Sequence, residues 1–142
     1  MNVMAWMLGT ILFLLGGLHI YWIVGGKFGA LAAIPSNGSE LLFKPKKAGT
    51  AFVAGALIFS GYIALALGEV VHTFILAEWM VSTGGWIIAL VFFIRTIGDF
   101  HWVGFFKKKK GTLFAHWDTR LYSPLCLFIA ILWVTLLMRW MP

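Results

Sequence analysis

Ionisable side chains that could do chemistry gather at a few places in an otherwise apolar chain. His19 lies near the end of a long apolar run, Arg95 and Asp99 lie four residues apart, and Asp118 follows two residues after His116. Imidazole and carboxylate groups can hold a divalent metal, and a carboxylate can orient a histidine for proton transfer. Arginine and histidine can instead grip an anionic headgroup, a phosphate or a quinone oxygen. The spacing leaves these three chemistries open, because the sequence contains no HxxxH, HExxH or long histidine box.

The composition indicates that these groups belong to a membrane protein. Of the 142 residues, 61% are apolar and 11% are charged, and the mean hydropathy is +0.93. A soluble domain averages about 45–50% apolar and about 25% charged residues, so the composition argues against a soluble globular protein. The single cysteine, Cys126, cannot form an intramolecular disulfide or a metal site built from paired cysteines.

Four long apolar runs must position the polar groups. Each run approaches the roughly 20 residues that a helix needs to cross a bilayer. The predicted spans cover about residues 3–26, 48–68, 79–98 and 121–141. The first run is predicted to be a retained span and not a cleaved signal peptide, because no basic residue precedes it. The predicted fold is therefore all-α, a polytopic four-helix bundle in one integral membrane domain, residues 1–142.

Basic residues fall almost entirely on two of the three connections. The first connection contains Lys27, Lys44, Lys46 and Lys47, and the third contains Lys107, Lys108, Lys109 and Lys110. Because basic loops are retained in the cytoplasm, both termini are predicted outside, although Arg139 is an exception. The net charge of +6 suits the anionic inner leaflet, so membrane lipids are expected partners. Nucleic acid is not expected, because the lysine run lies between spans without a basic domain around it.

Small residues recur along the second predicted helix. Ala56, Ser60, Ala64 and Gly68 are spaced four apart, so they line one face and let a neighbouring backbone come close. This pattern favours packing within the bundle, with a homodimer as the alternative.

Five sequence blocks coincide with the predicted polar cluster. They are His19-Ile-Tyr-Trp-Ile-Val-Gly-Gly-Lys-Phe-Gly, Ala33-Ile-Pro35, Arg95-Thr-Ile-Gly-Asp99-Phe, Phe114-Ala-His-Trp-Asp118 and Tyr122-Ser-Pro-Leu-Cys126. In this order they resemble a family of small bacterial four-helix membrane proteins catalogued only as a domain of unknown function. The resemblance covers nearly the whole chain. It implies the four-helix fold and a multi-pass location in the bacterial inner membrane, and it implies no reaction, substrate or cofactor.

Together these observations predict a polar pocket at the cytoplasmic end of the bundle. The pocket is expected to bind, and to be able to modify, a small amphipathic ligand with a lipid, isoprenoid or quinone headgroup. The candidate catalytic residues are His19, Asp99, His116 and Asp118. The candidate ligand-binding residues are Tyr21, Trp22, Arg95, His101 and Tyr122.

Other interpretations of the same residues stay open. Arg95 with Asp99, and Asp118 with Arg120 or His116, could be structural ion pairs, because charges near a bilayer must pair whatever their function. A small transporter or channel is disfavoured, since the middle of each predicted span lacks an ionisable group. A non-catalytic accessory subunit could dock through its lysine run. Metal content is left open, and haem is disfavoured because His19 and His72 are predicted near opposite surfaces.

Overall fold

In a computed structural model, the protein is described over residues 2–72 and 76–140. All secondary-structure elements in these two ranges are helical. The elements are α1 (Asn2–Ile23), α2 (Ala30–Ala33), α3 (Lys47–Leu67), α4 (Glu78–Ile97), α5 (Leu113–Trp117), a π-helical turn (Asp118–Tyr122) and α6 (Ser123–Trp140). The two described ranges contain no β-strand, only an isolated bridge between Ser36 and Leu41. The predicted all-α class is confirmed.

Within the two described ranges, four helical segments are long and apolar enough to cross a membrane. They are Asn2–Ile23, Lys47–Leu67, Glu78–Ile97 and the continuous stretch Leu113–Trp140. The first three lie close to the predicted spans, but the fourth begins at Leu113 and not near Leu121. It starts early because Thr112 caps α5, its hydroxyl accepting the Ala115 N–H at 3.0 Å, and because the π turn then carries the helix into α6. Which end faces the cytoplasm stays a prediction from the basic residues.

Helix α1 packs antiparallel along α3 through small residues. At one end, a side chain at Gly68 would collide with Ala5, and towards the other end Gly16 lies against the backbone of Ala54. Of the predicted stripe, Ser60, Ala64 and Gly68 are buried, whereas Ala56 is exposed. The stripe is therefore used mainly for packing within the chain, as its spacing predicts.

Helix α4 packs along α6 as the second pair. Gly85 faces Leu137 and Trp133, and the Trp133 side chain is fully buried in the centre of the bundle. Leucine and isoleucine side chains from α1, α3 and α6 complete this core. Large apolar side chains cover the outer faces, as expected where the surrounding solvent is lipid.

The antiparallel packing brings most polar segments to the same end of the bundle. The end of α1 lies there beside the start of α3, and the end of α4 lies beside the π turn, where Arg95 contacts Asp118. The Tyr122 hydroxyl also donates a hydrogen bond to the Ala32 carbonyl at 3.2 Å, which joins the π turn to α2. We refer to this region, residues 19–47 and 95–122, as the basic end.

Candidate functional site

A buried carboxylate organises one half of the basic end. Asp118, in the π turn, has no exposed surface. Its Oδ1 accepts a hydrogen bond from Arg95 Nη2 at 2.8 Å, and its Oδ2 accepts from Lys107 Nζ at 2.9 Å and from the Gly104 N–H at 2.8 Å. We call Asp118, Arg95, Lys107, Gly104 and Thr119 the Asp118 cluster. Because a buried charge is costly unless it is paired and hydrogen-bonded, these contacts explain how Asp118 is accommodated.

Lys107 is the unexpected member of the cluster. Only 4% of its surface is exposed, although it begins a run of four lysines. Besides Asp118, its ammonium group donates to the Gly104 carbonyl at 2.9 Å and to Thr119 Oγ1 at 2.7 Å, so all three of its donors are used. Of the four lysines in the run through which an accessory subunit could dock, Lys107 is therefore inaccessible, whereas Lys108, Lys109 and Lys110 are at least partly exposed.

Arg95 pairs with Asp118 and not with Asp99. The alternative of an Arg95–Asp99 pair needs both residues on one helix face, whereas α4 ends at Ile97 and Gly98 turns the chain with a φ of +85°. Asp118 likewise takes Arg95 and Lys107 as partners, in place of the predicted Arg120 or His116. The second guanidinium nitrogen of Arg95, Nη1, is buried without a hydrogen-bond partner among the described residues.

Asp99 organises the loop that follows α4. Its exposed carboxylate accepts hydrogen bonds through Oδ1 from the N–H groups of His101, Trp102 and Val103 at 2.9, 2.7 and 2.9 Å. Partial burial acts to raise the pKa of Asp99, but the backbone donors outweigh it and hold the pKa below the ordinary 3.8. Asp99 therefore acts as the cap of this turn.

An open cavity forms the other half of the basic end. It has a volume of about 650 Å³ and lies between the end of α1, α2 and the start of α3. We call it the α1–α3 cavity. Its polar lining consists of His19, Trp22, Lys44, Lys46, Lys47 and Thr50, and its apolar walls include Ile23, Ile34, Phe43 and Val53. The cavity is therefore amphipathic, with three lysines on its polar side.

Two aromatic side chains of α1 define the wall of this cavity. His19 Nδ1 lies 2.8 Å from the Leu15 carbonyl oxygen. Because a carbonyl only accepts, Nδ1 carries the proton in this hydrogen bond, and Nε2 has no hydrogen-bond partner in the described residues. The Trp22 ring lies edge-on to the His19 ring, with centroids 4.9 Å apart, and its Nε1 donates to the Phe28 carbonyl at 2.9 Å. These contacts fix both rings in place.

The structure separates the remaining candidates from these two groups. Tyr21 is exposed, and its hydroxyl accepts the Phe28 N–H at 3.5 Å. His101 and His116 are also exposed, with their rings 5.1 and 5.7 Å from those of the tryptophans that follow them. The predicted residues thus meet as Arg95 with Asp118 and as His19 with Trp22, while Tyr122 bonds to α2.

The described ranges contain no group of three or more His, Cys, Asp or Glu side chains that could hold a metal ion. His19 and His72 lie at opposite ends of the α1–α3 pair, as predicted.

Comparison with protein families identifies the family of the chain. The model of the family described as "Protein of unknown function (DUF3995)" matches residues 12–133, which include the Asp118 cluster and all of the α1–α3 cavity. The chain belongs to this family. It has no match among curated proteins or among solved structures.

In this DUF3995 protein, two kinds of site residue leave little signal in the sequence. Lys107 cannot be told from the three lysines that follow it, because its burial depends on a loop that brings it to Asp118. Lys44, Lys46 and Lys47 carry a clear signal of membrane orientation, but their position at a cavity depends on how α2 folds beside α3.

Proposed function

We propose that this multi-pass membrane protein binds a small amphipathic ligand with an anionic headgroup in the α1–α3 cavity. We place the cavity at the cytoplasmic side of the bacterial inner membrane, following the distribution of basic residues and the family resemblance. The single observation that carries the proposal is the cavity itself, which joins apolar walls to a polar side bearing three lysines and a histidine. Ligand sites of this size are typically apolar with a few convergent polar groups.

The charge of the cavity favours an anionic headgroup. Lys44, Lys46 and Lys47 are exposed, and in the described residues no carboxylate pairs with them. Their positive charge would be reinforced by the start of α3, which has no side-chain cap. A phosphate or similar group would therefore meet favourable electrostatics at the polar side of the cavity.

The walls of the cavity favour an attached apolar chain. Ile23, Ile34, Phe43 and Val53 provide a surface that a lipid or isoprenoid tail can cover. Because the cavity lies at the ends of α1 and α3, a ligand could keep its headgroup at the interface and its tail towards the bilayer.

His19 is the group in this lining best suited to proton transfer. Its Nδ1 is directed to a backbone carbonyl, which leaves Nε2 to accept or donate a proton. The cavity lining includes neither Arg95 nor Asp118. In this proposal these two residues therefore support the surrounding loops and do not contact the ligand. Any modification of the ligand is therefore proposed to depend on His19.

The proposal is tested by measuring binding to the full chain in neutral-lipid nanodiscs. The probes are short-chain phosphatidic acid, the matching diacylglycerol and decylubiquinone. We expect phosphatidic acid to bind most tightly. The triple substitution Lys44→Gln, Lys46→Gln and Lys47→Gln should weaken its binding at least about tenfold, because it removes all three lysines of the lining and a hydrogen bond to a charged group contributes about 1.5–3 kcal/mol.

The matched control is the substitution Lys27→Gln, Arg120→Gln and Arg139→Gln, which removes the same charge from exposed positions outside the cavity lining. It should change affinity for phosphatidic acid less than threefold. An equal loss in both variants would contradict the cavity as the site. Tighter binding of decylubiquinone would contradict the anionic headgroup.

A further inference from the structure

The connection between α4 and α5 exposes aromatic side chains in a loop that is nevertheless well ordered by hydrogen bonds. In the loop formed by residues 98–112, the exposed fractions of Phe100, Phe105 and Phe106 are 57%, 41% and 64%. The Phe100 and Phe106 rings lie 6.4 Å apart between centroids. Three large apolar side chains close together at the surface are unusual for a water-facing loop and typical of an interaction surface.

Internal hydrogen bonds hold this loop in one conformation. The Phe105 N–H donates to the Thr96 carbonyl and the Lys109 N–H donates to the His101 carbonyl, each at 2.9 Å. Asp99 and Asp118 bind further backbone N–H groups of the same loop. The rings are therefore presented on a preformed support.

The backbone at Phe100 adds to this argument. Its φ is +61°, a left-handed conformation that a bulky residue rarely adopts. Such strain persists only where the surrounding contacts impose it. Here the Asp99 cap and the Gly98 turn on its N-terminal side impose it, and Phe100 stays exposed.

Unpaired positive charges follow the phenylalanines in the same loop. Lys108 and Lys110 are exposed and Lys109 is partly exposed, whereas Lys107 is withdrawn to Asp118. In the described residues no carboxylate pairs with these three lysines. The loop therefore offers an apolar surface beside a net positive charge.

We infer that loop 98–112 is a docking surface for anionic lipid headgroups, with its phenylalanines inserted at the headgroup boundary and its lysines on the headgroups. The loop lies between the end of one span and the start of the next, so it is held at the height of the interface. Aromatic residues combined with lysines are the composition of segments that lie in this interface. Each lysine near an anionic surface contributes roughly fivefold in affinity. The proposal is independent of the α1–α3 cavity.

The test measures the depth of the loop in nanodiscs of phosphatidylcholine with and without phosphatidylglycerol. A nitroxide is attached at Phe106→Cys in the full chain carrying Cys126→Ala, and its collisions with oxygen and with a water-soluble nickel complex are compared. Labels at Leu14→Cys, in the middle of α1, and at Ser39→Cys, in the exposed first connection, provide the reference positions. A second label at Phe105→Cys guards against a local effect of one substitution.

We expect the Phe106 label to lie deeper than the Ser39 label and to move deeper when phosphatidylglycerol is present. The substitution Lys108→Gln, Lys109→Gln and Lys110→Gln should abolish that lipid-dependent shift. The matched substitution Lys44→Gln, Lys46→Gln and Lys47→Gln should leave it in place. Labels at positions 105 and 106 that are as accessible to the nickel complex as the Ser39 label would overturn the proposal and leave a protein partner as the occupant. A label depth that is the same with and without phosphatidylglycerol would also overturn the proposal.

Discussion

The Asp118 cluster and the α1–α3 cavity lie at the same end of the bundle, but their polar groups differ in how many hydrogen bonds they already form within the chain. Both oxygens of the Asp118 carboxylate accept hydrogen bonds, and the Lys107 ammonium uses all three of its donors. In the cavity, by contrast, His19 uses one ring nitrogen, and the ammonium groups of the three lysines form no hydrogen bond to the described part of the chain.

This difference separates two uses of charge in a membrane protein. A charge that is buried must be satisfied inside the protein, so a cluster whose carboxylate and ammonium groups are satisfied, with Arg95 Nη1 left over, is best explained by folding. Groups that line an open cavity and lack partners have hydrogen-bonding capacity left for a ligand. We therefore expect substitutions in the Asp118 cluster to change stability and substitutions in the cavity to change binding.

The strongest test of this comparison is Asp118→Asn, which leaves the Lys107 ammonium and the Arg95 guanidinium without their carboxylate. Removing one member of a buried ion pair costs about 3–5 kcal/mol, because the remaining charge stays buried and uncompensated. We expect a loss of this size in the free energy of unfolding, measured by equilibrium denaturation in detergent micelles.

The exposed carboxylate of Asp99 provides the control, since Asp99→Asn makes the same chemical change without stranding a buried cation. If Asp118→Asn does not fold, the double variant Asp118→Asn with Lys107→Met should recover folded protein, because it also removes the stranded ammonium. A loss below about 1 kcal/mol for Asp118→Asn would contradict a stabilising role for the cluster.

A smaller effect is expected from Lys107→Met, compared with the same change at its neighbour Lys108. Lys107→Met leaves Asp118 with Arg95 and the Gly104 N–H, so we expect about 2–3 kcal/mol of destabilisation. Lys108 is exposed, and its replacement should change stability by less than about 0.5 kcal/mol. Equal unfolding free energies for the two variants would show that the burial of Lys107 does not matter energetically.

The helices were predictable because their signal is local. A run of about 20 apolar residues defines a span whatever surrounds it, and three of the four spans begin within a few residues of the prediction. The early start of the fourth span escaped prediction, because His116, Asp118, Thr119 and Arg120 interrupt the apolar pattern before α6. The helical state of α5 and the π turn depends on the Thr112 cap and on the contacts of Asp118.

The site was less predictable, because its pairs join residues distant in sequence. Arg95 and Asp118 are 23 positions apart, whereas the predicted partner of Arg95 lay one helical turn away. Gly98 turns the chain at the end of α4. The Asp99 carboxylate therefore accepts hydrogen bonds from backbone N–H groups and does not pair with Arg95. The sequence identified residue types suited to a polar site, and the pairing among them depended on this turn.

Ligand binding in the α1–α3 cavity can be tested by filling the cavity without changing its charge. Gly49 lies in the lining of the cavity, and a side chain there would meet open space. Gly49→Leu should therefore occupy the volume of the ligand and weaken binding of phosphatidic acid at least about tenfold, equivalent to 1.4 kcal/mol. Stability should not fall, since leucine favours a helix over glycine by roughly 1 kcal/mol.

Gly55→Leu is the matched control for this substitution. It lies on the same helix, also faces open space, and is outside the cavity lining. Unfolding measurements and phosphatidic acid titrations on both variants distinguish occlusion from a general effect of leucine. Similar affinities for the two would argue that the ligand lies elsewhere.

The smallest expected effect is at Asp99, whose exposed carboxylate supports a loop but pairs with no buried cation. Because its folded pKa lies below the ordinary 3.8, the ionised form stabilises the loop. That contribution is complete above the unfolded pKa and is lost as the pH falls through the lower folded value. Hydrogen exchange at the amides of residues 101–103, corrected for intrinsic rates, should therefore accelerate below about pH 3.8. Asp99→Asn should remove this acid-dependent step, whereas an unchanged step in the variant would assign the titration to another group.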